Sequence, residues 1–267
     1  MDFETITYEK KDGIAVITLN RPQRMNSLNQ QMFAELRQAV EDAEDDDEVR
    51  VVVLTGAGRA FCAGADLGPG EGGERVMRET NPDAIRRRMY GGVHKLIKGL
   101  YNLSKPTIAA VNGAAVGAGY DLALVCDIRV GSENARFRVA FTSIGLVTGS
   151  GGHWFLPRVV GKAKAAELIF TADFLEASDA EKYGVLNRVV PADDLMKETM
   201  ALASKIAKGP PIAIRLDKAM LQRATTTDLD TALEMAATNQ AICITSEDHK
   251  EGVAAFREKR EAVFRGR

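Results

Sequence analysis

Apolar and polar residues alternate over Thr5–Glu9 and again over Ile14–Leu19, which predicts two half-buried strands. Between them Asp12-Gly13 is the pair that a two-residue type I′ turn favours, so the strands form a hairpin. Behind Asn29, a candidate N-cap, Met32, Phe33, Leu36, Ala39, Val40 and Ala43 recur at helical spacing, through Asp47. Arg50–Thr55 and Pro106–Val111 are short, almost continuously apolar runs and read as strands buried on both faces. Ile85, Met89, Val93, Leu96, Ile97 and Leu100 predict one long amphipathic helix. A helix from Ala118 to Val125 and a strand over Asp127–Gly131 follow. From Gly149 onward the pattern is mostly helical: Ser150–Val160, Lys162–Phe170, Ala177–Tyr183, Asp193–Lys208, Pro211–Arg223, Leu229–Thr245 and Glu247–Arg257. Strands in the first half and helices in the second predict an α/β core with a helical C-terminal extension.

Two small-residue loops interrupt this pattern, Gly56–Gly64 and Asn112–Gly119, and a third stretch, Gly68–Gly73, reads as the most flexible of the chain. The first two belong to an internal echo. Leu54–Leu67 (LTGAGRAFCAGADL) and Val111–Leu122 (VNGAAVGAGYDL) each run from a buried strand through a Gly/Ala loop into a helix start. Small residues let a ligand approach the main chain, and a helix N-terminus offers it unpaired N–H groups. Two such turns facing one site would supply two donors to a developing oxyanion, each worth about 2.7–4 kcal/mol of barrier. Either loop alone reads as close strand–helix packing; the pairing points to chemistry.

Composition narrows the classes. Of 267 residues 45% are hydrophobic and 27% charged, as in a soluble globular chain. A formal net charge of −2 provides no field for nucleic acid or anionic membrane. Cys62, Cys126 and Cys243 form no C-x-x-C pair, and His94, His153 and His249 are dispersed, so neither a disulfide framework nor a metal site is expected. The N-terminus lacks a basic region followed by an apolar core, and no apolar run reaches membrane length; the expectation is a cytoplasmic protein. There is no third glycine of a dinucleotide fingerprint, no P-loop and no G-x-S-x-G elbow.

Leu19-Asn20-Arg21-Pro22, Met25-Asn26-Ser27-Leu28 and Phe61-Cys62-Ala63-Gly64-Ala65-Asp66-Leu67 resemble motifs of the crotonase (enoyl-CoA hydratase/isomerase) superfamily. So do Asn112–Gly119 running into Cys126-Asp127-Ile128-Arg129, Gly151-Gly152 with Leu156-Pro157-Arg158 and Gly161, and Glu251–Arg260. The resemblance implies a spiral of repeated ββα units over residues 1–200, carrying the acyl-CoA site. It implies a helical region over 201–267 that drives self-association, as a homotrimer or a dimer of trimers. The substrate is then an acyl-CoA thioester; coenzyme A is part of the substrate, and no other cofactor is implied. By position, the oxyanion donors fall on the N–H groups of Ala65 and Ala118. Adenine-side contacts fall on Arg24, Ala63, Ala65 and Leu67, and Phe256 and Lys259 match positions that reach CoA from a neighbouring subunit. Asp66 adjoins the first donor and reads as a cap.

Hydratases of this family resemble a machine with two glutamates. Here those positions hold Asp121 and Phe141, and Gly149 stands where some isomerases and dehalogenases have an aspartate. Asp121 shares a helix face with Ala118 and is the candidate acid/base; its alternative role is to complement the helix dipole. His153 is a candidate for the missing acid/base function, or a structural histidine. Ser150 reads as the cap of the following helix, and Phe141 and Trp154 as walls of an apolar acyl pocket, Trp154 equally as a core residue. The first expectation is an enoyl-CoA hydratase or double-bond isomerase. The alternatives are a C–C hydrolase or decarboxylase acting on an acyl-CoA, and a CoA- or RNA-binding protein without turnover.

Overall fold

The computed structural model describes residues 2–68 and 80–267. The hairpin is present as β1 (Ile6–Lys11) and β2 (Ile14–Leu19), turned by Asp12 and Gly13 at φ 52° and 78°. Helix α1 (Gln30–Asp45) starts at Asn29, whose side chain accepts from the Met32 N–H. Strand β3 (Val51–Gly56) pairs in parallel with β2. Every residue of β3 is buried because both faces are covered. Val52 and Leu54 join the main core with α1, whereas Val51 and Val53 face a second cluster.

The two small-residue loops are not wholly irregular, as the pattern suggested. Each contains a three-residue strand, β4 (Ala60–Cys62) and, after β5 (Thr107–Val111), β6 (Ala114–Val116). Alanine-rich segments this short carry too little period-2 signal to show as strands. The chain continues through α4 (Ala118–Leu124), β7 (Ile128–Ser132) and β8 (Arg136–Arg138). Strands β3, β5 and β7 enter one sheet, while β4, β6 and β8 enter another. Successive turns therefore each lay one strand in each layer before a helix, which is a spiral of ββα units. The larger sheet has the order β1-β2-β3-β5-β7-β10 and the smaller β4-β6-β8-β9, with β9 (Phe174–Glu176) and β10 (Arg188–Val190). These last two strands lie in the half of the chain read as helical.

The single long helix expected over Ile85–Leu100 is two, α2 (Pro82–Gly91) and α3 (Val93–Asn102). Gly92, at φ −106° and ψ −103°, breaks the helix while leaving the apolar period intact. The two helices expected over 150–170 are present, one on each side of Gly161, which leaves helical geometry at φ 77° and ψ 159°; together they are numbered α5 (Gly152–Thr171). Then follow α6 (Ala177–Lys182), α7 (Leu195–Ala207), α8 (Pro211–Arg223), α9 (Leu229–Thr245) and α10 (Glu247–Glu258). Leu195, Ala203 and Ala207 of α7 cover Val51, Val53, Ile108 and Val130 of the larger sheet. Of the Gly68–Gly73 stretch, residues 69–73 lie outside the described residues. Among the described residues no helix is long and apolar enough to cross a membrane.

Candidate active site

Asn26 shapes the first of the two turns. Fully buried, it donates to the carbonyls of Ala57 and Ala60 and accepts from the Arg21 N–H. The Leu28 N–H donates to the Gly64 carbonyl, and the Asp66 N–H to the Leu28 carbonyl. Strand geometry then turns the intervening Ala65 N–H away from Leu28. Gly64 has φ +92°, and a Cβ there would lie 2.7 Å from the Val116 carbonyl oxygen and 3.5 Å from the Ala118 nitrogen. Only glycine lets the two turns approach this closely. At Gly119 a side chain would run into the Cys62 carbonyl, so the second turn packs main chain to main chain on β4.

Ala118 opens α4, and its N–H has no helical acceptor. Among the described residues neither the Ala65 nor the Ala118 N–H donates a hydrogen bond. Asp121 lies one turn on, 1% exposed. Burial pushes its carboxyl up to about 7, against the pull of the Gly152 and Ser150 N–H groups and the Ser150 hydroxyl. Its Oδ2 is buried without a hydrogen-bond partner, and a methyl at Gly152 would run into its Oδ1. Ser150 therefore stands beside Asp121 and is not the cap of α5. The N-cap is Gly151, at φ +98° and with no side-chain cap; a left-handed residue here bends the chain so that the Ser150 side faces α4.

Phe141, just after β8 of the smaller sheet, reaches the same place. Its ring edge lies 3.8 Å from a Cβ position at Gly117, the residue before Ala118. Trp154 packs edge-on to Tyr101 and Phe155, with centroids 5.4 and 4.9 Å apart, and the Arg158 guanidinium lies 3.8 Å over its ring. His153 is exposed and turned back on its own loop, with Nδ1 3.0 Å from Thr148 Oγ1 and 3.1 Å from the Thr148 carbonyl. Among the described residues no contact joins it to Asp121.

Along the first turn, Arg21 pairs with Asp66 at 2.8 Å, and Asp66 Oδ1 accepts from the Gly68 N–H. Arg24 is exposed, its guanidinium 3.0 Å from a Cβ position at Gly68. Ala63 is partly exposed and Leu67 49% exposed beside them. Arg24, Ala63, Ala65, Asp66 and Leu67 thus share one rim. Phe256 and Lys259 do not join it within one chain. Phe256, 85% exposed, lines a cleft with Ile212, Cys243 and His249 among the C-terminal helices, and Lys259 ends α10 at φ 55°. That cleft and a second beside Met220 and Met235 are apolar and carry none of the chemistry above.

The family model for enoyl-CoA hydratase/isomerase matches residues 9–267. The chain belongs to the enoyl-CoA hydratase/isomerase family. It is 37% identical over 266 residues to a crotonyl-CoA hydratase of Syntrophomonas wolfei, covering 99% of each chain. It is 38% identical over 268 residues to the 1,2-epoxyphenylacetyl-CoA isomerase of Escherichia coli, again over 99% of each. A crystal structure described as a putative enoyl-CoA hydratase from Streptomyces coelicolor superposes with a TM-score of 0.93 at 32% identity, covering 100% of this chain and 96% of that one. The fold of the family is therefore this chain's fold.

Two side chains that the sequence reading did not place in the site stand within it. His94 Nε2 lies 2.9 Å from the Gly149 carbonyl oxygen, and the end of Met89 would lie 2.7 Å from a Cβ at Gly149. Both come from the helix pair α2–α3. Their signal was the helical spacing of Ile85, Met89 and Val93, which places Met89 on the apolar face, with His94 beside Val93. Among the described residues no group of three or more His, Cys, Asp or Glu is arranged to hold a metal ion.

Proposed function

We propose that this protein is an acyl-CoA hydratase or double-bond isomerase in which the Ala65 and Ala118 N–H groups hold the thioester oxygen and Asp121 moves the proton. The observation that carries this reading is one buried carboxyl, titrating at about 7, one helical turn from a free helix-start amide. Two donors aimed at the thioester oxygen stabilise the enolate that forms when a proton leaves, or when water adds to, the acyl chain. A carboxyl poised near neutrality both takes and returns a proton without a large energetic mismatch. With Phe141 at the second position, one group must do both. A 1,3 proton shuttle needs no more than that, whereas hydration also requires a water to be oriented, so the balance favours isomerisation or an atypical hydration.

Arg24, Ala63, Asp66 and Leu67 form the rim for the CoA moiety, with Arg24 meeting its phosphates. Phe141 and Trp154 bound the acyl chain. His153, tied to Thr148, supports the loop at the pocket's mouth. No cofactor enters this chemistry; coenzyme A arrives as part of the substrate.

Self-association follows from the C-terminal region. Helix α9 is rich in apolar residues yet has no buried residue in the single chain, and Leu229, Leu233 and Ile242 are exposed. Helices of this kind need a partner surface, and a second and third copy of the chain fit the requirement. Phe256 and Lys259 of one copy then approach the CoA rim of the next. Residues 201–267 act as the assembling arm of a core spanning 1–200. Free cysteines at 62, 126 and 243 suit a reducing cytoplasm.

A mass-resolved turnover screen over enoyl-, dienoyl-, cyclic enoyl-, β-keto- and malonyl-CoA tests the reading. Gain of water or migration of a double bond supports it. Loss of CO2 or C–C cleavage, or binding of CoA or RNA with no turnover, would replace it.

A further inference from the structure

The Asp121 carboxyl meets the turn Thr148–Gly152, and two histidines hold that turn. His153 hydrogen-bonds back to Thr148 on the exposed side. His94 approaches from α3, partly buried, its ring edge-on to Tyr90 at 5.1 Å with Arg86 stacked 5.2 Å over the tyrosine. Its Nε2 lies 2.9 Å from the Gly149 carbonyl oxygen. A carbonyl only accepts, so Nε2 carries the proton and donates.

The Gly149 carbonyl and the Ser150 N–H are the two ends of one peptide group. That group is trans, since the chain has no cis peptide bonds, and planar, so its C=O and N–H point in opposite directions. One end meets His94; the other is among the donors that pull on Asp121. A hydrogen bond accepted by the carbonyl polarises the peptide and makes its N–H a stronger donor. It also fixes the rotation of the peptide plane. Gly149, without a side chain, gives its side of that plane wide rotational freedom.

We propose that His94 is a positioning residue of the active site: by donating to the Gly149 carbonyl it orients and polarises the 149–150 peptide, and so sets how readily Asp121 gives and takes a proton. The inference rests on Asp121 as the acid/base. The titratable and charged side chains on the elements packed around Asp121 are Cys62 on β4, Tyr120 on α4 itself, and His153, Arg158, Lys162, Lys164 and Glu167 on α5. None of them touches the Gly149 carbonyl among the described residues. Position 149 itself carries no side chain, and Met89 occupies the space where one would point.

The test is the titration of the Asp121 carboxyl followed by NMR on protein labelled with 13C-aspartate, the resonance assigned by its loss in Asp121→Asn. His94→Leu removes the donor and should raise the Asp121 midpoint by about half a unit or more, because a weaker N–H stabilises the carboxylate less. His94→Gln, whose amide nitrogen can occupy the place of Nε2, should return it to within about 0.2 unit of the wild type. If His94→Leu does not fold, His94→Asn, too short to reach the carbonyl, takes its place. A midpoint that stays put or falls in the donor-less variant, or that moves equally in the glutamine variant, overturns the proposal. The readout needs no turnover, so a failure of Asp121 as the acid/base would show separately, as full activity in Asp121→Asn.

Discussion

Asp121 and Gly152 are in contact across the junction of α4 and α5, where a methyl group on Gly152 would collide with the Asp121 carboxyl oxygen. Gly152 lies outside the left-handed region, so backbone strain does not enter. Gly152→Ala should therefore displace the carboxyl while the fold survives. We expect kcat to fall by about tenfold to a hundredfold, as for misplacement of a catalytic group, with KM changed little. Steady-state kinetics beside a thermal melt checks this; unchanged kcat would mean that the contact is not part of the chemistry.

The carboxyl itself links activity to pH. If the reaction begins with proton removal by the carboxylate, kcat should rise with pH around a midpoint of about 7. Asp121→Asn should lower kcat by about 10²–10⁴-fold and abolish that limb.

Stability should show the same group with the opposite slope. Burial pushes the folded carboxyl up to about 7 from its ordinary value of 3.8, so the folded state holds its proton more tightly than the unfolded one. The stabilisation is fully present below the unfolded value and is lost as pH rises through about 7. Relative to Asp121→Asn, the wild type should lose on the order of 2–4 kcal/mol between about pH 4 and pH 8. Urea melts at both ends of that range measure it; parallel curves for the two proteins would contradict it.

Phe141 offers a gain of function. Its ring lies against Gly117, beside the Ala118 donor. Phe141→Glu introduces a second carboxylate there and should raise the ratio of hydration to double-bond migration. Product masses from one enoyl-CoA give the ratio directly. A fall in both products, with the fold intact, would show that the pocket admits no charge there.

Much of this was legible in the sequence, for physical reasons that differ by element. The hairpin turn, the Asn29 cap and the continuously apolar β3 follow from local chemistry. Asp121 is marked by the family resemblance, at the position of one of the two glutamates, and helix spacing then brings it to the face of Ala118. Strands β4 and β6 were not visible, because three-residue alanine-rich segments pair only when the other layer is present. The break at Gly92 was hidden by an apolar period that runs through it unchanged. Ser150 resembled a cap, yet Gly151 takes that place in a left-handed conformation that no pattern of side chains announces. His94 escaped notice because its partner is a main-chain carbonyl 55 residues away.

The central claim is that Asp121 carries the proton while the Ala65 and Ala118 amides hold the enolate. The most direct measurement is deuterium incorporation from D2O into an enoyl-CoA by the wild type and by Asp121→Asn, followed by mass spectrometry. The account predicts exchange at the acyl carbons by the wild type, and loss of that exchange in the variant with thioester binding retained. Exchange at the wild-type rate in Asp121→Asn would contradict it.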